Sequence, residues 1–210
     1  MSADLSALVS ARLCHDLISP MGAIGNGLEL MQLAQPQVSA ELDLIAGSLG
    51  SAIARLRFFR IAFGPADAGS RLAGDEIRAI TEAMFSGRFA VAWTGPPADL
   101  TRAQGKLLCL ALLCLEKSLP MGGEAEIAAT DEAIAIAAEG RRLAPSDLWA
   151  LTAGGAPHCL RPDGLRPDGL RSDGVQFALL GAALDALGIG IETRFEATRA
   201  EVRMAPRPPA

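Results

Sequence analysis

Tyrosine is absent, aromatic residues make up only 4% of the chain, and its four cysteines form no Cys-x-x-Cys pair. The scatter of Cys14, Cys109, Cys114 and Cys159 argues against a zinc site, and reduced thiols are the expectation, with Cys109 and Cys114 inside an apolar helical segment. Basic charge is also scarce. With a net charge of −5 and a pI near 5.1, the surface has too little positive charge to neutralise a phosphate backbone, which excludes direct nucleic-acid binding and leaves proteins as the expected partners. No apolar run approaches the roughly 20 residues that span a bilayer, and the first residues lack the basic and apolar pattern of a secretion signal. No membrane association is expected, and the chain reads as cytoplasmic. What is plentiful is small and apolar: half of the 210 residues are hydrophobic, enough to build one large or two small cores, so disorder is not expected.

The apolar periodicity predicts helices over residues 4–33 and 38–63, broken by Gln35-Pro36. In the second, Val38, Leu42, Ile45, Leu49, Ala52, Leu56, Phe59 and Phe63 recur at alternating steps of three and four after the first, a coiled-coil-like seam. The first carries Leu5, Val9, Leu13, Leu17, Ile24, Leu28 and Met31 at compatible spacings. Two amphipathic helices cannot enclose a core alone, so a homodimeric four-helix bundle is expected, with residues 1–66 as the dimerising hairpin. Gly64-Pro65-Ala66-Asp67-Ala68-Gly69-Ser70 has linker composition. Beyond it, residues 70–206 read as helix 75–85, strand 88–94, helix 100–119, a hairpin over 126–130 and 133–138, a short helix 145–152, helix 176–187, and a final hairpin over 189–195 and 201–204. That order implies an α+β sandwich with helices on one face of a mixed sheet.

The chemistry sits in Arg12-Leu13-Cys14-His15-Asp16-Leu17-Ile18-Ser19-Pro20. At about 100° per residue, Leu13, Leu17, Pro20, Ile24, Leu28 and Met31 gather within about 80° of arc and His15 points to nearly the opposite side. Beside it fall Ala11, Ile18, Ser19 and Gly22, small except for Ile18, so a partner's backbone could approach the imidazole. A neutral imidazole offers a nucleophilic nitrogen and later departs from a phosphoramidate, which suits reversible phosphoryl transfer. Asp16 could orient the ring, and Ser19 could hydrogen-bond near the phosphoryl. Pro20 removes a backbone bond one turn later. Arg12, with Asn26 and Glu29 further along the polar side, is a candidate for partner contact.

His15-Asp16-Leu17 followed by Pro20, on the first helix of a hairpin, resembles the phosphoacceptor box of dimeric sensor histidine kinases. Met21-Gly22-Ala23-Ile24-Gly25-Asn26-Gly27-Leu28-Glu29-Leu30 and the closing Leu56-Arg57-Phe58-Phe59-Arg60-Ile61-Ala62-Phe63-Gly64 make the chain more similar to the ChpT-type histidine phosphotransferases of alphaproteobacteria. That resemblance implies a dimeric four-helix bundle followed by a degenerate histidine-kinase ATPase-like domain that no longer binds ATP. It also implies transfer through His15 between the receiver domain of a hybrid kinase and downstream response regulators, with Mg²⁺ supplied by the receiver. Where a kinase carries its Mg²⁺-holding asparagine, this chain has Leu110 and Cys114, which are not hard oxygen ligands. Its adenine-loop stretch is Ala137-Ala138-Glu139-Gly140-Arg141, with no aspartate, and Gly174-Val175-Gln176 lacks further lid glycines. No cofactor of its own is expected, and a separate phosphodonor is.

Two other readings stand beside this one: an ATP-dependent sensor kinase core, and a non-catalytic dimeric scaffold. The triple repeat of Arg-Pro/Ser-Asp-Gly over residues 161–174 reads as a turn-rich surface loop, and His158 and Cys159 fall in a loop with no assigned role.

Overall fold

In the computed structural model the described residues are 5–34, 40–66, 69–152 and 172–207. The Gln35-Pro36 break, His158, Cys159 and most of the Arg-Pro-Asp-Gly repeat lie outside them. Internal contacts divide the chain into two units, Met1–Ala66 and Asp67–Ala210.

The first unit is a hairpin of α1 (Leu5–Ala34) and α2 (Ala40–Ala62). Pro20 lies inside α1, which continues past it for fourteen residues to Ala34; its missing N–H leaves the Asp16 carbonyl without its helical donor. The face that α1 buries differs from the leucine stripe. Ala7, Cys14 and Leu28 are buried, with Ala11, Ile18, Met21 and Gly25 half-buried between them. Seven-residue steps link Ala7, Cys14, Met21 and Leu28, with small side chains in the first half of this line and larger ones in the second. Leu49 shows how close that approach is, because its Cδ2 would lie 3.6 Å from a Cβ placed on Gly25. At the far end of α2, a Cβ on Gly64 would fall 2.2 Å from the Arg60 carbonyl oxygen and 4.0 Å from Ala11 Cβ. Leu13, Leu17, Ile24 and Met31 flank this line and stay exposed.

The second unit is an α+β sandwich. Its main sheet has the order β2 (Phe89–Trp93), β4 (Gly123–Ala129), β5 (Ile134–Glu139), β7 (Arg199–Pro206), β6 (Ile189–Phe195), with β2 and β4 parallel and the other neighbours antiparallel. Strand alternation is regular: Ala125, Ile127, Ile134, Ile136, Ala138, Ala200, Val202 and Met204 are buried, while Glu124, Glu126, Ala135, Glu201 and Arg203 face outward. The helical layer is α3 (Gly74–Met84), α4 (Arg102–Ser118) and α5 (Val175–Leu187). A capping box starts α4: the Thr101 hydroxyl accepts the Gln104 N–H, and the Gln104 side-chain oxygen accepts the Thr101 N–H. Leu107, Leu108, Cys109, Leu110, Ala111, Leu112, Cys114 and Leu115 are wholly buried, so α4 is the centre of the core. Trp93 and Trp149 are buried with their indole N–H groups donating to Thr81 and Ser118 hydroxyls. A small pair, β1 (Arg71–Leu72) with β3 (Leu100–Thr101), adds a second sheet beyond the sequence expectation.

Candidate active site on the first helix

His15 stands on the exposed side of α1, about 100° around the axis from buried Cys14. Its side chain is 74% exposed, and its Nδ1 lies 3.1 Å from Asp16 Oδ1. The other carboxylate oxygen of Asp16, Oδ2, accepts the Arg12 Nε–H at 2.7 Å. An ionised carboxylate only accepts, so in neutral His15 the proton sits on Nδ1 and the Nε2 lone pair is free. The hydrogen bond from His15, followed by that from Arg12, holds the Asp16 carboxyl below the ordinary aspartate value.

The candidates from the sequence form one strip around this group. Ser19, Gly22 and Asn26 lie within about 40° of His15 on the helical wheel, Arg12 flanks them on one side and Ile18 on the other. The strip rises about 16 Å from His15 to Asn26 at 1.5 Å per residue. Ser19 and Asn26 are exposed, and a Cβ on Gly22 would meet nothing within 4 Å, so the surface beside the imidazole is open. Two placements differ from expectation. Ile18 and Ala11 are half-buried because the α2 side of α1 reaches them, so only part of Ile18 is presented outward. Arg12 is engaged with Asp16. Among the described residues the buried Arg60 Nε has no hydrogen-bond partner, and Arg60's charge partly offsets the desolvation that raises the Cys14 thiol. Among the described residues, no three His, Cys, Asp or Glu side chains converge where a metal ion could sit.

Residues 74–199, most of the second unit, match the family described as Histidine phosphotransferase C-terminal domain. Over 161 residues, 73% of this chain and 77% of the relative, the sequence is 38% identical to the protein phosphotransferase ChpT of Brucella abortus (strain 2308). The chain belongs to the histidine phosphotransferase family. A solved structure, titled as the 1.7 Å structure of a bacterial phosphotransferase, aligns over 97% of each chain at 27% identity and a TM-score of 0.63. The protein is therefore a phosphoryl transferase working through histidine, and its α+β architecture is that of this family.

In this histidine phosphotransferase the surroundings of Leu110, Cys114 and Gly140 are closely packed. Leu110 and Cys114 point into the α4 core and are wholly buried. Gly140 packs so closely that a Cβ would fall 2.5 Å from the Gly122 carbonyl oxygen and 2.9 Å from Leu119 Cδ2. Lys117 pairs with Asp173, tying the end of α4 to the turn before α5, and Trp149 stacks edge-on against Phe177 at 5.4 Å between centroids.

Proposed function

We propose that His15 is the phosphoryl acceptor, relaying the group from the receiver domain of a hybrid kinase to receiver domains of downstream response regulators. The observation that carries this is the pairing of an outward-facing imidazole with a carboxylate that fixes its proton on Nδ1. In the forward step the Nε2 lone pair attacks phosphorus of the donor's aspartyl phosphate. The N–P bond forms as the P–O bond breaks, and the bonding pair leaves on the donor carboxylate. Onward transfer reverses the roles: an acceptor carboxylate oxygen attacks phosphorus and the N–P electrons return to Nε2. The transition state is loose and in-line, so positioning and charge neutralisation do most of the work. Mg²⁺ belongs to the receiver in this reading, since both oxygens of Asp16 are already engaged by Arg12 and His15. Ser19, Gly22, Asn26 and the exposed part of Ile18 form the surface that the receiver covers.

The packing around Leu110, Cys114 and Gly140 favours a chain that binds no ATP and depends on a separate donor. The exposed Leu13, Leu17, Ile24 and Met31 favour a homodimer, in which a second copy's helices complete a four-helix bundle. Among the described residues no helix is long and apolar enough to cross a membrane, and a relay between receiver domains has its natural place in the cytoplasm. The test is transfer of label from a phosphorylated receiver to wild type and to His15→Ala, with ATP alone as a control. Acid-labile label on wild type only, and only from the receiver, is expected. Labelling from ATP alone would instead make the chain a kinase.

A further inference from the structure

We propose that Arg12 is a positioning residue for the transfer. Its guanidinium holds Asp16 so that the carboxylate keeps the His15 proton on Nδ1 and leaves Nε2 facing the partner. The proposal rests on His15 as the acceptor.

The argument begins with helix geometry. Neighbours at i and i+1 diverge by about 100°, so side chains at 15 and 16 do not face each other by default. Asp16 must swing toward His15 to bring Oδ1 within 3.1 Å of Nδ1. In water at this surface, with Asp16 about half exposed, one such bond competes with hydration and with other rotamers of a short, freely turning side chain. Arg12 supplies the second anchor. It sits one turn earlier on the Asp16 side of the helix and takes Oδ2 at 2.7 Å, leaving Oδ1 for the imidazole. The two oxygens are divided between two donors, and the planar carboxylate transmits the position of one to the other.

Stability gives a poor alternative explanation for this pair. Arg12 is 78% exposed and precedes its acidic partner, the less helix-stabilising order for an i,i+4 pair. Direct contact of Arg12 with a receiver is the rival role. The two differ in what they require of the free protein: positioning acts before any partner arrives.

Two measurements separate them. Nitrogen-15 NMR of the imidazole in the free protein reads the tautomer, and single-turnover transfer from a phosphorylated receiver reads the saturating rate and the half-saturating receiver concentration. For Arg12→Met, which keeps the aliphatic stem, the expected results are a shift of proton population from Nδ1 toward Nε2 and a saturating rate lower by about tenfold, with half-saturation little changed. Arg12→Lys, which retains charge without the planar fork, should recover part of the rate. In an Asp16→Asn background Arg12→Met should add almost nothing, because the path to His15 is already cut. A raised half-saturation with an unchanged saturating rate would overturn the proposal in favour of partner contact. An unchanged tautomer would also overturn it. Failure of wild type to accept phosphoryl from any receiver would instead sink the acceptor assignment, while the tautomer measurement would still report on Arg12.

Discussion

Helices α1 and α4 are both rich in leucine, and they use it differently. In α4, Leu107, Leu108, Leu110, Leu112 and Leu115 are all wholly buried beneath the sheet and α5. In α1, Leu13 and Leu17 remain 59% and 50% exposed, and Ala7, Cys14 and Leu28 are the buried residues. The second unit completes its own core. The first leaves Leu13, Leu17, Ile24 and Met31 exposed, and it carries His15, the proposed acceptor, on the opposite flank. On the proposed reading, stability and chemistry are divided between the units: the second depends on the side chains buried around α4, and the first on the exposed apolar side chains of α1 for assembly.

Substitutions on each side sharpen that contrast. Leu110→Ala should destabilise the second unit by about 2–5 kcal/mol, through lost burial and the cavity left behind. Both tryptophans, Trp93 and Trp149, lie in this unit and are buried, so their fluorescence during denaturant unfolding reports it selectively. Leu17→Ala should leave that transition within about 0.5 kcal/mol of wild type. Leu17→Glu should shift sedimentation toward the monomer, because it places charge on the face proposed for a second copy. If Leu17→Glu left a dimer intact, the division between the units would be wrong.

A smaller effect follows from the buried thiols. Desolvation raises Cys109 and Cys114 above the ordinary thiol value of 9.0. Because the folded values are the higher ones, the native state holds its protons when unfolded chains have lost theirs. The stabilisation is complete below pH 9 and declines as pH rises past it, by about 1.4 kcal/mol per pH unit for each thiol. Tryptophan-detected unfolding midpoints at pH 8 and pH 10 measure this, and Cys109→Ala with Cys114→Ala should flatten the difference. Cys14, in the hairpin, should not contribute to that transition.

Smaller again is the effect of filling open glycines on α1. Gly22→Ala and Gly27→Ala each add a methyl where nothing lies within 4 Å, and each should stabilise the helix by about 0.5–1 kcal/mol. Transfer should slow only for Gly22→Ala, whose methyl lies beside His15 on the strip proposed to meet a receiver. Equal transfer rates for the two variants would remove Gly22 from that surface.

Much of this division can be read along the chain, for identifiable reasons. The α4 segment stands out because the unbroken apolar run from Leu107 to Leu115, between Thr101 and Pro120, admits few alternatives, and the hairpin helices because their repeat is long. The two-residue strands β1 and β3 were illegible, since two residues have no period and their pairing joins segments nearly thirty apart. Strand β4 begins at Gly123, earlier than its alternation suggests, because the parallel neighbour β2 recruits Gly123 and Glu124 into register with Phe89 and Ala90. On α1 the large apolar residues mark only part of the buried surface: Ala7, Cys14 and Leu28 are buried and Ala11 half-buried, while Leu13, Leu17, Ile24 and Met31 stay exposed beside them. The proposed strip from Arg12 to Asn26 follows from the sequence alone, because its members share one side of a regular helix. What composition could not give was the division of labour within it, because an arginine four residues before an aspartate serves an internal bond and an external partner equally well on paper.

Locating the phosphoryl group by phosphorus-31 and nitrogen-15 NMR, after transfer from a phosphorylated receiver, bears most directly on the role of α1. A single N–P bond on Nε2 of His15, absent from His15→Ala, is the expected result. A stable phosphoryl on any other residue, or on Nδ1 of His15, would contradict the assignment of His15 and the Asp16-held tautomer that supports it.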